Sequence, residues 1–168
     1  MAIDAFVSVK PLSLPFNSTT FFNTLTLVFD AGNNGDTTIN GATLIKTLFF
    51  PFGTTTFISD NGGAIVVPDL THSFIPSFDF VAVSFIFPDL TLPAVSGSMV
   101  TIKRFSVTLQ VFTNFHPIGI LNPVHSFPST NMRDITQVIA EGDINPDNNL
   151  AIRELFIKDL GFSPIPVP

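Results

Sequence analysis

The stretch RFSVTLQV, residues 104 to 111, constrains the fold of this chain more than any other. Phe105, Val107, Leu109 and Val111 fall on one side of an extended backbone, with Arg104, Ser106, Thr108 and Gln110 on the other. Alternation with period two and one apolar face is the pattern of a half-buried antiparallel strand. Similar β-branched and aromatic runs are AFVSVK near the start, TLTLVF at 24 to 29, ATLIKTLFF at 42 to 50, AIVVP at 64 to 68 and FVAVSFIF at 80 to 87. Between them lie AGNNGD, FPFGTTT, SDNGG and LPAVSGS, clusters of residues that favour turns. VPDLT at 67 to 71 and FPDLT at 87 to 91 read as strand exits, where Pro ends the pairing. Six or more such strands in 168 residues predict one all-β domain, residues 1–168. Its expected form is an antiparallel two-sheet sandwich, immunoglobulin-like or jelly-roll.

From Asn131 the spacing changes. NMRDITQVIAEG offers Asn131 as an N-cap and places Met132, Ile135, Val138 and Ile139 at helical intervals. NLAIRELFIKDLG adds a stripe of Ile152, Leu155, Phe156 and Leu160, a Glu154–Lys158 pair, and Gly161 where a helix would end. One or two short helices are therefore expected within residues 130–161, although the same stretch also reads as a strand. Asp134 and Glu141, seven apart, fit a solvated helix face. Residues 162–168 form a Pro-rich tail, too stiff and too poor in N–H donors to enter a central strand.

Composition narrows the function. There are no cysteines, which excludes disulfides, thiolate metal sites and cysteine nucleophiles. A net charge of −6 argues against a nucleic-acid partner, which would require a basic face. No run reaches the roughly 18 apolar residues of a membrane-spanning helix. Charged residues make up 12%, about half the share in a typical soluble domain. Twenty Phe occur without any Tyr or Trp, so the aromatic rings carry no polar handle and suit a dry core or a dry contact. Sparse charge removes the usual guard against self-association.

Residues 143 to 154 fit the spacing D-x-N-x-D-x-x-x-x-x-x-E of a twelve-residue calcium loop. Asp143, Asn145 and Asp147 would offer side-chain oxygens, Asn149 a carbonyl, and Glu154 a bidentate carboxylate. Such hard oxygen ligands are what calcium needs, but Asn148 stands where the loop normally has glycine, and Pro146 stiffens the wrap. The alternative is a polar turn without an ion. The loop resembles EF-hand and dockerin loops, and calcium is the one cofactor the sequence suggests.

A second resemblance uses the same residues. LTLVFDAGNNGDTTINGATL followed much later by AEGDINPDNNLA is similar to bacterial cell-adhesion-related domains of the CARDB type. The matching positions are Asn33, Gly35 and Asp36, then Glu141, Asp143, Asn148 and Asn149. The resemblance implies an immunoglobulin-like sandwich acting as an extracellular adhesion or assembly module.

Catalytic signatures do not emerge. His72, His116 and His125 occur in no metal-binding pattern, Ser96 lacks a nucleophile elbow, and neither a phosphate loop nor a dinucleotide fingerprint occurs. The expectation is a non-enzymatic structural protein that self-assembles into an ordered homo-oligomer, such as a surface filament, particle coat or crystalline inclusion. The alternative is an extracellular adhesion or ligand-binding module with a calcium-stabilised loop. No small-molecule ligand is expected, and an extracellular, cell-surface or particle-associated location is favoured.

Overall fold

Two antiparallel sheets pack face to face in a computed structural model that describes residues 1–10, 22–50, 54–60, 63–67, 81–112 and 131–156. The strands are β1 (Ala5–Val9), β2 (Phe22–Asn33), β3 (Ile39–Phe50), β4 (Thr54–Asp60), β5 (Ile65–Val67), β6 (Val81–Leu92), β7 (Ile102–Phe112), β8 (Asn131–Ile139) and β9 (Leu150–Phe156). The four-stranded sheet runs β1-β2-β7-β4 and the five-stranded sheet β5-β6-β3-β8-β9. The expected all-β sandwich is the observed architecture.

Alternation builds the core as RFSVTLQV suggested. Phe105 and Val107 of β7 are buried beside Leu27, Phe29 and Ala31 of β2. Facing them from the five-stranded sheet are Leu44 and Leu48 of β3, Val83, Phe85 and Phe87 of β6, and Val138 of β8. Phe29, Phe87 and Phe105 form a ring cluster with centroids 5.1 to 5.9 Å apart. Each such fully buried side chain contributes roughly 1.5–3 kcal/mol through removal from water.

The helices expected within 130–161 are absent from its described part, residues 131–156. Residues 131–139 form β8, paired to β3 on one side and β9 on the other. Asp134, Thr136 and Val138 are buried while Arg133, Gln137 and Ile139 are exposed, which is period two and not 3.6. Each of the two ladders takes every second residue's N–H and C=O, so together they serve the whole strand, and β-branched Ile135, Thr136, Val138 and Ile139 suit that state. Only a single 3-10 turn, Pro146–Asn148, interrupts the strands. Lys158, Leu160, Gly161 and the Pro-rich tail lie outside the described residues.

FPDLT also departs from its reading. Strand β6 continues through it to Leu92, and the pairing with β3 slips between Ala42 and Leu44. Asp89 adopts φ 56°, and exposed Pro88 and Asp89 absorb the irregularity of a bulge. In VPDLT, residues 68–71 lie outside the described residues.

Candidate functional site

Three features of the fold carry polar or binding chemistry. The first is a clamp around the N-terminal segment. Asn33, at the end of β2, accepts from the Gly35 N–H at 2.8 Å and the Asp4 N–H at 3.2 Å. Its amide nitrogen donates to the Thr37 carbonyl at 2.7 Å. Asp36 accepts from the Ala2 N–H at 2.5 Å and the Thr37 hydroxyl at 2.9 Å. From the other sheet, Asp143 accepts from Ala5 N–H at 2.9 Å, and the Asn148 amide donates to the Asp4 carboxylate at 2.7 Å. The Ile144 N–H donates to the Ile3 carbonyl at 3.0 Å. Residues 2–5 are thus stitched to both sheets at once. A Cβ on Gly35 would stand 2.1 Å from the Ala2 carbonyl oxygen, so the close approach needs glycine.

Most of the positions that carry the CARDB resemblance meet here. Asn33, Gly35 and Asp36 come from one turn, Asp143, Asn148 and Asn149 from the other, while Glu141 is exposed. The calcium-loop residues divide. Asp143 takes three N–H donors, from Ala5, Asn145 and the Asn149 amide, the last two at 2.8 and 3.0 Å. Asn145 and Asp147 are exposed at the 3-10 turn, and Asn149 is buried. Glu154 sits in β9 opposite Arg133. The side-chain oxygens of Asn148 and Asn149 are buried without a hydrogen-bond partner. His72, His116 and His125 lie outside the described residues.

The second feature is a buried charge cluster. Lys46 projects from β3 between Leu44 and Leu48, on the face turned to the core, and is 0% exposed. Its ammonium pairs with Asp134 of β8, also 0% exposed, and donates to the Thr136 hydroxyl at 2.8 Å. The Phe29 ring centroid lies 4.8 Å from Nζ. Arg153 of β9 donates to the other Asp134 oxygen at 2.6 Å and to the Lys10 carbonyl, also at 2.6 Å, while its Nε is buried without a partner. Burial lowers the Lys46 pKa to about 8. The Asp134 charge and hydrogen bond oppose that shift, and the Arg153 charge adds to it. Two cations share one carboxylate in an apolar, aromatic interior.

Asp134 corrects the reading of a solvated helix face: it is an interior residue of a strand. Sequence inspection did not single out this cluster, although one signal was present. Lys46 occupies an apolar parity position in ATLIKTLFF, which sends it inward with Leu44 and Leu48.

The third feature is the outer face of the five-stranded sheet. Cross-strand register places Ile65 beside Ile86, Ile86 beside Ile45, and Ile135 beside Ile152. Ile65, Val67, Ile139, Leu150 and Ile152 are 46 to 59% exposed, and Ile45, Phe49, Ile86 and Ile135 are half-buried. Among the described, exposed side chains of these five strands, only Arg133 and Asp89 are charged.

Fold and site together define an all-β sandwich that clamps its own N-terminal segment and encloses a Lys–Asp–Arg cluster. No protein-family model matches the chain, and no curated protein does. A similar solved structure is AvmM, which catalyzes macrocyclization in alchivemycin A biosynthesis. It shares 12% identity over 91% of this chain and 86% of its own, with a TM-score of 0.39. Among the described residues, no helix is long and apolar enough to cross a membrane.

Proposed function

We propose that this chain is a non-catalytic structural subunit that self-assembles into an ordered homo-oligomer, with the outer face of the five-stranded sheet as its principal contact. The observation that carries the proposal is that face: isoleucine-rich, half open to water and nearly free of charge. Five strands about 4.8 Å apart and roughly seven residues long present about 500 Å². Two copies meeting face to face would bury about 1,000 Å², the lower bound for a specific interface. Sheet-on-sheet packing is the same solution the molecule uses internally. A second copy is the natural occupant because the face is apolar and carries little charge, and can pair with itself around a two-fold axis. The edge strands β5 and β9 border this face and supply a second contact for growth beyond the dimer. Electron micrographs of the purified protein test the reading: regular filaments, shells or lattices support it, and a uniform field of 18.2 kDa particles counts against it.

The two unpartnered amide oxygens at Asn148 and Asn149 favour a second reading, an extracellular adhesion module whose 143–154 loop takes calcium. A calcium-dependent rise in melting temperature that disappears in Asp143→Ala supports it; the same melting curve in calcium and in chelator removes it.

A further inference from the structure

We propose that Lys46 and Asp134 condense into an intramolecular amide, a covalent cross-link between β3 and β8 in the sandwich core. The geometry assembles the reactants. Lys46 Nζ contacts Asp134 Oδ1, both side chains are fully buried, and the aromatic ring of Phe29 closes one side. Two reacting groups held in a single orientation gain the large effective concentration of an intramolecular reaction. Both groups are 0% exposed, and Leu44 and Leu48 flank Lys46 on the same buried face, a setting that disfavours hydrolysis.

The surrounding residues fit the steps. In a low-dielectric interior, transfer of one proton from the ammonium to the carboxylate gives a neutral amine and a carboxylic acid. The depressed basicity of Lys46 favours that transfer. The amine lone pair then attacks Cγ, forming the N–Cγ bond. Arg153 holds Oδ2, the oxygen that gains negative charge in the tetrahedral stage and remains as the amide carbonyl. The Cγ–Oδ1 bond breaks, and Oδ1 leaves as water with the transferred proton and one amine proton. The Thr136 hydroxyl, bonded to Nζ, is placed to relay the latter. Ammonium plus carboxylate becomes amide plus water, so no oxidant, nucleotide or other co-reactant is consumed. The product removes one cation and one anion from the core and leaves Arg153 hydrogen-bonded to a carbonyl. This inference is independent of the proposed assembly, since each molecule would carry the bond alone.

Mass spectrometry of the wild-type chain tests it without any variant. The expected intact mass is lower than the sequence mass by one water, in Lys46→Met the deficit vanishes, and in Arg153→Gln it develops more slowly after refolding. Trypsin digestion of the denatured protein should fail to cut after Lys46 and should yield a branched product joined to residues 134–153. On a denaturing gel the wild type should migrate faster than Lys46→Met, because its closed loop is more compact. A full sequence mass together with ordinary cleavage after Lys46 overturns the proposal. A water deficit that maps to any other pair of residues overturns it equally.

Discussion

The two sheets of this sandwich distribute charge in opposite ways. The four-stranded sheet keeps its ions outside. On its outer face Asp30 is fully buried beneath Lys10, at 3.0 Å, and Arg104, at 2.9 Å, and the Phe6 ring lies over Gly32. Along its inner face Leu27, Phe29, Ala31, Phe105 and Val107 are apolar, with buried Asn33 and half-buried Lys103 at the end of the strands. The five-stranded sheet is inverted. Lys46, Asp134 and Arg153 point inward, and isoleucines point outward. Among the described residues, one sheet pairs its outer carboxylate within the molecule, while the other leaves an isoleucine-rich surface open to water. The proposed self-association contact and the proposed cross-link both fall on this inverted sheet.

Breaking the inverted sheet from within should cost the most. Asp134→Ala removes both the proposed cross-link and the carboxylate that faces Lys46 and Arg153, and should lower unfolding stability by about 3–5 kcal/mol in denaturant titrations. A loss below about 1 kcal/mol would show that water reaches the cluster. Comparable isoleucines on the two outer faces separate the sheets next. Ile152→Glu, on the five-stranded sheet, should weaken association on the order of 100-fold, about 3 kcal/mol, with little change in monomer stability. Ile102→Glu, half exposed on the four-stranded sheet, should leave association unchanged in the same light-scattering series.

The outer charges of the four-stranded sheet should matter less. Burial alone would raise the Asp30 pKa, but hydrogen bonds and charges from Arg104 and Lys10 outweigh it and hold the carboxyl below its usual 3.8. A depressed folded-state pKa means stability present above 3.8 and lost as pH falls below it. Acid titration of melting temperature should therefore show a loss in that range that Asp30→Asn lacks. The smallest effect belongs to Gly32. In Gly32→Ala the new Cβ meets the movable Phe6 ring, for a cost of about 1 kcal/mol. Gly35→Ala meets the Ala2 backbone instead and should cost more, which a thermal melt of the pair will rank.

How far the sequence foretold this arrangement depends on whether a partner is near or far along the chain. Period two in RFSVTLQV and ATLIKTLFF carried the sandwich, because side-chain parity is local information. Lys46 was legible in the same way. The strand β8 was not, since Met132, Ile135, Val138 and Ile139 fit helical spacing and fall on both faces of a strand, and pairing with β3 and β9 decided the outcome. The polar turns at Asn33–Asp36 and Asp143–Asn149 were visible as turns. Their shared task was not, because the groups they hold are mostly backbone N–H and C=O of residues 2–5, up to 141 positions away (Ile3 to Ile144). A backbone donor leaves no mark in a sequence.

The inverted sheet can be tested most directly by sedimentation equilibrium at micromolar concentration, with wild type and Ile152→Glu measured side by side. The account predicts a wild-type mass at or above twice 18.2 kDa, falling towards one chain in the variant. A wild-type protein that stays at a single chain's mass across the whole concentration range would contradict it.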